Sequence, residues 1–219
     1  VNINRRPNAK KLSSQNREPA NKISGTNELL WALIGLLLTI FGTFIEAFTT
    51  NPPWYWAERG IFTQSLGITY QIGAVLLTSC LGGRNAGALS QIAYVILGLL
   101  WLPIFSRGGG LGYVNEPSFG YIVGFIPGAW LCGAIAFRLR TKLEWLAFSS
   151  LCGLVIIHVC GLIYLVGLSY LSSTDNGLVF PENLSELINR YSVAPLPGQL
   201  AIICVVAVIA FVLRQILFY

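Results

Sequence analysis

The sequence predicts an all-α membrane protein of six transmembrane helices, and three observations carry that expectation. Of 219 residues, 54% are hydrophobic and only 11% charged, against about a quarter charged in a soluble domain. Apolar runs recur from position 28 onward, most near the roughly 20 residues that cross a hydrocarbon core as a helix. Lys and Arg gather on alternate connections between these runs, as the positive-inside tendency requires of a polytopic chain.

Residues 1–27 are polar and basic, with Arg5, Arg6, Lys10, Lys11, Arg17 and Lys22. Lacking apolar periodicity, they are expected to form a disordered cytoplasmic tail, and residues 28–219 the six-helix domain. No short apolar stretch with a small-residue cleavage site follows the charges, which excludes a secretory signal peptide. The spans are expected at 28–48, 66–81, 83–102, 119–138, 143–171 and 196–218. The fifth is long enough to require tilt or overhang. Residues 49–65 form a Pro- and Trp-rich loop suited to the membrane–water interface. Residues 103–118 are Gly-rich, 172–195 polar and acidic, and tight turns at Gly82–Arg84 and 138–142 join the remaining spans.

Six spans place both termini on one side, together with the tail, Arg84, Arg138, Arg140, Lys142 and Arg214. The other side holds only Arg59, Arg107 and Arg190, with most of the acidic residues. The richer side is therefore the cytoplasmic one, in the plasma (inner) membrane, and the two long loops face outward. The same distribution explains the net charge of +5 without a nucleic-acid partner, since a nucleic-acid binder gathers its cations on one folded face. Membrane lipids are the expected surroundings.

Cys80, Cys132, Cys152, Cys160 and Cys204 all lie in apolar segments, with no C-x-x-C pair and a single histidine, His158. Neither a metal site nor a disulfide framework is expected. Small residues recur every fourth position along the first span (Gly35, Thr39, Thr43, Ala47) and the fourth (Gly120, Gly124, Gly128). Such stripes let helices approach closely in lipid. For the fourth span packing within the bundle is expected. For Gly35, Thr39 and Thr43, packing and docking onto a partner subunit stand equally.

A ligand site needs convergent polar groups in an apolar envelope. Gly108, Gly109 and Gly110 can bring backbone close to a ligand, and consecutive N–H groups there can cradle an anion. Arg107 adjoins them with a guanidinium able to fork onto a carboxylate. Polar groups within spans are costly and often functional. This adds Gln71, Gln91, Tyr94, Tyr121, His158 and Gln199 as candidates, with an interhelical hydrogen bond the competing role for His158. One histidine and no phosphate-binding G-x-x-x-x-G-K-[ST] loop leave little for an enzyme to work with.

The block from Gly82 to Gly133 resembles the signature region of the BioY family. In order stand Gly83, Gly87, Ser90 and Tyr94; Leu97 and Gly98; Leu102, Pro103 and Phe105; Gly108 to Gly110; then Pro117, Ser118, Gly120 and Tyr121. The resemblance implies the bundle of a substrate-binding S component of energy-coupling-factor (ECF) transporters. Such a subunit binds biotin in the membrane for uptake and is not an enzyme. It has no cofactor besides biotin as transported ligand, and it works with a coupling transmembrane protein and two ATPase subunits. An S component for another small vitamin and a stand-alone biotin permease are the alternatives. Two departures bear on the site. The family's last helix opens P-G-D-x-x-K, where this chain has Pro197, Gly198, Gln199, Leu200, Ala201 and Ile202. Gln199 can serve the ureido group as donor or acceptor. Ile202 cannot meet a carboxylate, which leaves Arg107 for that charge. The first-helix A-x-x-x-A docking motif becomes Gly35-x-x-x-Thr39.

Overall fold

Along α1 (Gly25–Phe44) the buried residues are Ala32, Gly35, Thr39, Gly42 and Thr43, at spacings that return a helix to one face. Leu29, Leu33, Leu37 and Phe41 point outward. Small inside and large apolar outside is the reverse of a soluble helix and suits a bundle bathed in lipid. Large apolar side chains also face outward along α5 (Leu143–Thr174) and α7 (Leu196–Phe218), where Val155, Val159, Ile163, Val205, Val212 and Ile216 are exposed. This computed structural model describes residues 25–100, 102–174 and 183–218. The expected tail falls almost wholly outside the described residues, as do Asp175 and Glu182 of the acidic connection.

Two span boundaries differ from expectation. The first helix ends at Phe44 rather than residue 48, and the second begins at Gln71 rather than residue 66. Between them β1 (Glu46–Thr50) pairs antiparallel with β2 (Thr63–Thr69), Thr50 opposite Thr63 and Glu46 opposite Thr69. The β-branched threonines and Ile68 favour a pleated strand over a helix. Ala47 and Ile68 anchor this hairpin by burying their side chains in the bundle. At its tip Asn51 donates to the Gly60 carbonyl at 2.9 Å and accepts from the Phe62 N–H at 3.0 Å. The short α2 (Trp56–Arg59) completes the tip, where Trp54 and Trp56 are exposed as an interfacial loop requires.

The second and third expected spans are the two arms of α3 (Gln71–Leu100), broken at Gly83 with φ 83°. That left-handed conformation is one a glycine adopts without steric cost. The arms fold back on each other: a Cβ on Gly87 would lie 2.6 Å from Ser79 Oγ, and Gln71 reaches Tyr94. α4 (Phe119–Arg138) follows and packs through its glycine stripe on α5. A Cβ on Gly120 would meet Tyr164 at 2.2 Å and one on Gly128 would meet Ile157 at 2.6 Å. A short α6 (Leu184–Ile188) and one π-helical turn (Asn189–Val193) lead into α7. Among the described residues, four stretches are long and apolar enough to cross a membrane unaided: Gly25–Phe44, Phe119–Arg138, Leu143–Leu171 and Leu184–Leu217.

The α1 stripe turns inward, into the packing of the bundle. A Cβ on Gly35 would lie 2.3 Å from Thr78 Cγ2, and Thr39 and Thr43 are buried. Gly35, Thr39 and Thr43 are used in packing on α3, so they offer no surface to another chain.

Arg214, grouped by sequence with the cytoplasmic charges, is buried. Its Nε donates to the Cys80 carbonyl at 2.8 Å and its Nη1 to the Ala136 carbonyl at 2.9 Å. These carbonyls lie at the C-terminal ends of the first α3 arm and of α4, where helices leave acceptors unpaired. The guanidinium also sits 4.1 Å from the Phe137 ring centroid. Nearby, Cys80 and Cys132 touch at 3.7 Å as free thiols, in the small packing role expected of them.

At the other end of the bundle one phenol joins four segments. Tyr94, on the second α3 arm, is fully buried. Its hydroxyl donates to the Ile104 carbonyl at 3.0 Å, accepts from the Gln71 amide at 3.0 Å and lies 3.1 Å from Thr43 Oγ1. Phe105 stacks edge-on against its ring and covers Gly98, where a Cβ would come within 2.1 Å.

Two outcomes follow from these buried networks. Tyr94→Phe strands a carbonyl and an amide and is expected to cost about 1–3 kcal/mol, read as a lowered thermal midpoint in detergent. Arg214→Met removes two charge-assisted hydrogen bonds and is expected to cost about 3 kcal/mol or more. An unchanged midpoint in either variant contradicts the role given to that residue.

Candidate ligand-binding site

The ends of these elements that meet around Tyr94 enclose a cavity of about 530 Å³, within the range of roughly 300–1,000 Å³ typical of small-molecule sites. Thr43 and Phe44 come from the end of α1, and Glu46 and Gly67–Thr69 from the β-hairpin. Gln71 and Ile72 open α3, and Ser106 and Arg107 come from the Gly-rich connection. Ser118, Tyr121, Ile122 and Phe125 belong to the start of α4, Arg190 and Tyr191 to the π-helical turn, and Pro195 and Gln199 to the start of α7.

Its walls divide by chemistry. Phe44, Ile68, Ile72, Ile122 and Phe125 supply apolar surface. Tyr121 and Tyr191 add a stacked pair of rings with centroids 6.2 Å apart. Polar groups come from Gln71, Gln199, Glu46 and the two arginines. Glu46 accepts a hydrogen bond from the Ser65 hydroxyl. Arg107 pairs with Glu116, Nη1 to Oε2 at 3.2 Å, with both side chains partly open to solvent. At the high pH where Arg107 would lose its proton, a Tyr191 phenolate holds it above the usual arginine range. Burial works against that shift, and Glu116 reinforces it. The guanidinium therefore stays cationic across the physiological range.

Four of the expected site residues line the cavity: Arg107, Tyr121, Gln71 and Gln199. His158 and Tyr94 stand one layer behind. His158 bridges Ser192 (Nδ1 to Oγ, 3.1 Å) and Gln199 (Nε2 to Oε1, 2.7 Å), which is the interhelical role weighed for it. Tyr94 touches the lining through Thr43 and Gln71.

Gln91 is buried between Thr39 and Ser90, donating to both hydroxyls at 3.0 Å, and does not reach the cavity. The glycine turn does not reach it either. Gly108 donates to the Phe105 carbonyl at 3.0 Å and Gly110 to the Gly98 carbonyl at 2.8 Å, so those N–H groups serve the turn and not an anion. Gly109 is required by space, because a Cβ there would lie 2.5 Å from the Leu102 carbonyl oxygen. Gly108, Gly109 and Gly110 thus hold Arg107 in place by folding the connection onto Gly98.

Sequence reasoning passed over Arg190, Tyr191, Ser192 and Glu46. Arg190, Tyr191 and Ser192 are consecutive in a connection with no apolar periodicity, and their proximity to the Leu196 turn is the one local signal. Glu46 falls inside the span expected at 28–48.

A profile of the BioY family matches residues 14–218. The chain is 30% identical over 190 residues to an uncharacterized 21.2 kDa protein in the psbX-ycf33 intergenic region of Cyanophora paradoxa, covering 86% of this chain and 95% of that one. It is 42% identical over 100 residues to the probable biotin transporter BioY of Lysinibacillus sphaericus, covering 44% of this chain and 50% of the relative. The Thermotoga maritima biotin transporter BioY is 35% identical over 98 residues, 44% and 57% of the two chains. These matches span about half of the two biotin transporters. The crystal structure of the S-component for biotin from an ECF-type ABC transporter shares the fold, with a TM-score of 0.62 at 20% identity over 89% of this chain and 95% of that one. With a family profile running over nearly its whole length, the chain belongs to the BioY family.

Proposed function

We propose that this chain is the membrane-embedded biotin-binding subunit of an uptake system, a binding protein and not an enzyme. The observation that carries the reading is the cavity itself. Its lining combines apolar and aromatic side chains with an amide, Gln199, and two cations, Arg107 and Arg190. That arrangement complements a small molecule with a hydrogen-bonding head, an apolar body and a carboxylate tail. Names of the relatives and of the structural neighbour point to the same ligand.

In this reading the two arms of α3 count as separate crossings, which makes six with α1, α4, α5 and α7. Every element that lines the cavity lies at the end of the bundle opposite the start of α1. With the basic tail and the turns at Arg84 and Arg138 on the cytoplasmic side, the cavity opens outward. Both termini are then cytoplasmic, and the basic segment 1–27 faces the anionic inner leaflet. Reorientation of a loaded cavity needs energy from outside this chain, supplied by a coupling transmembrane protein and ATPase subunits. Their contact surface is not the Gly35–Thr39–Thr43 stripe, which is buried.

The protein purified in detergent is expected to bind biotin with a Kd below about 1 μM, measured by equilibrium binding of labelled biotin. Arg107→Ala and Arg190→Ala each remove a candidate partner of the carboxylate. A charge-assisted hydrogen bond is worth about 1.5–3 kcal/mol, so the loss is expected at roughly ten- to hundredfold in whichever arginine holds it, with the thermal midpoint preserved. Wild-type protein that binds another vitamin and not biotin overturns the ligand. Unchanged affinity in both variants removes the arginines from the carboxylate role.

A further inference from the structure

A row of four side chains from four segments begins and ends in the cavity wall, at Tyr121 and Gln199. Tyr121 of α4 lies 2.6 Å (hydroxyl to Oγ) from Ser192 of the π-helical turn. Ser192 Oγ lies 3.1 Å from Nδ1 of His158 on α5, whose Nε2 lies 2.7 Å from Oε1 of Gln199 on α7. All four are buried, Gln199 to 6% exposure. A neutral imidazole donates through one nitrogen and accepts through the other, so the row carries its protons in one direction only.

Chemistry fixes that direction. A phenol is a stronger proton donor than an aliphatic hydroxyl, and the phenol–serine link is the shortest of the three. Among the described residues nothing but Ser192 takes the Tyr121 proton, so the opposite direction would leave that O–H without a protein acceptor. Tyr121 therefore donates to Ser192, Ser192 to His158 Nδ1, and His158 Nε2–H to the Gln199 carbonyl oxygen. That bond takes one of the two lone pairs on the carbonyl oxygen and holds the amide with Oε1 toward His158. The NH₂ group of Gln199, on a side chain lining the cavity, makes no hydrogen bond with the described residues.

Resting on the reading of the cavity as a biotin site, we propose that His158 is a positioning residue that locks Gln199 as a hydrogen-bond donor. This end of the site then selects a carbonyl oxygen on the ligand's head. A carboxylate at the same position would offer only acceptors and would seek the N–H groups of a urea. Here the urea oxygen is the recognised atom. An analogue that carries a donor in place of that oxygen meets two donors face to face, and a site built for one hydrogen-bond partner rejects a mismatched one strongly.

Two probes separate these cases in competition against labelled biotin on the purified full chain. Dethiobiotin keeps the urea carbonyl, whereas 2-iminobiotin at neutral pH carries a C=NH₂⁺ group there. Wild type is expected to bind dethiobiotin within about tenfold of biotin and 2-iminobiotin at least about a hundredfold more weakly. Gln199→Met keeps the volume and removes the donor. It is expected to weaken biotin by about tenfold without weakening 2-iminobiotin, so the selectivity ratio falls. His158→Phe frees the Gln199 amide to turn, and the ratio is expected to fall at least about tenfold with the thermal midpoint reported beside it.

A ratio that is unchanged or larger in Gln199→Met overturns the donor assignment even if His158→Phe does not fold. Wild type that binds both head groups alike overturns it too. Wild type that binds neither biotin nor dethiobiotin overturns the biotin reading, and the inference with it.

Discussion

In a bilayer a polar group has no water to fall back on, so each one must find its partner inside the protein or face a cavity. The Tyr94 hydroxyl is where this constraint is met most economically. A single oxygen satisfies the Ile104 carbonyl and the Gln71 amide and contacts Thr43. It thereby fixes α1, both arms of α3 and the Gly-rich connection relative to one another. Around that point the helix ends and the β-hairpin form a rim, and the hollow inside the rim is the candidate site. Stability and ligand geometry share the same hydrogen bonds here.

Glycine contributes at this end through fit. The Phe105 ring lies over Gly98, Gly109 sits against the Leu102 and Gly98 carbonyls, and Gly110 donates back to Gly98. The connection is thus folded tightly on the end of α3, and Arg107 projects from a turn with little freedom of its own. At the opposite end Arg214 plays a comparable part, drawing the ends of α4 and of the first α3 arm onto α7 through two carbonyls. Each end of the bundle is tied by one polar side chain that joins several segments, while the middle is held by small residues in close approach.

The helical architecture was legible because long apolar runs and alternate basic connections are strong, redundant signals. The α3 hairpin was legible as two spans because Gly82, Gly83 and Arg84 interrupt the hydrophobic pattern. What escaped was local and polar. Residues 46–48 and 66–69 continue apolar runs and read as span, while Thr49, Thr50 and Thr63 read as loop, and only their pairing shows them to be strand. Arg214 reads as an ordinary basic flank until α4 and α3 present carbonyls to it. The triple glycine suggested an anion cradle, but two of its N–H groups are satisfied within the turn. Within the site, Gln71, Arg107, Tyr121 and Gln199 were accessible as polar residues in or beside spans. Arg190, Tyr191 and Ser192 were not, because their place follows from a π-helical turn that no composition signal announces.

The proposed role of Gln199 rests on more than its own identity: a glutamine amide can donate or accept, and which of the two it does follows in this account from His158 behind it. The central claim, that the hollow beneath Tyr94 holds biotin between Gln199 and the arginines, is tested most directly by the structure of the protein crystallised with biotin. The account predicts the urea oxygen within hydrogen-bond distance of Gln199 Nε2, the ring against Tyr121 and Tyr191, and the carboxylate toward Arg107 or Arg190. Biotin bound elsewhere, or the reverse orientation with its carboxylate at Gln199, would contradict it.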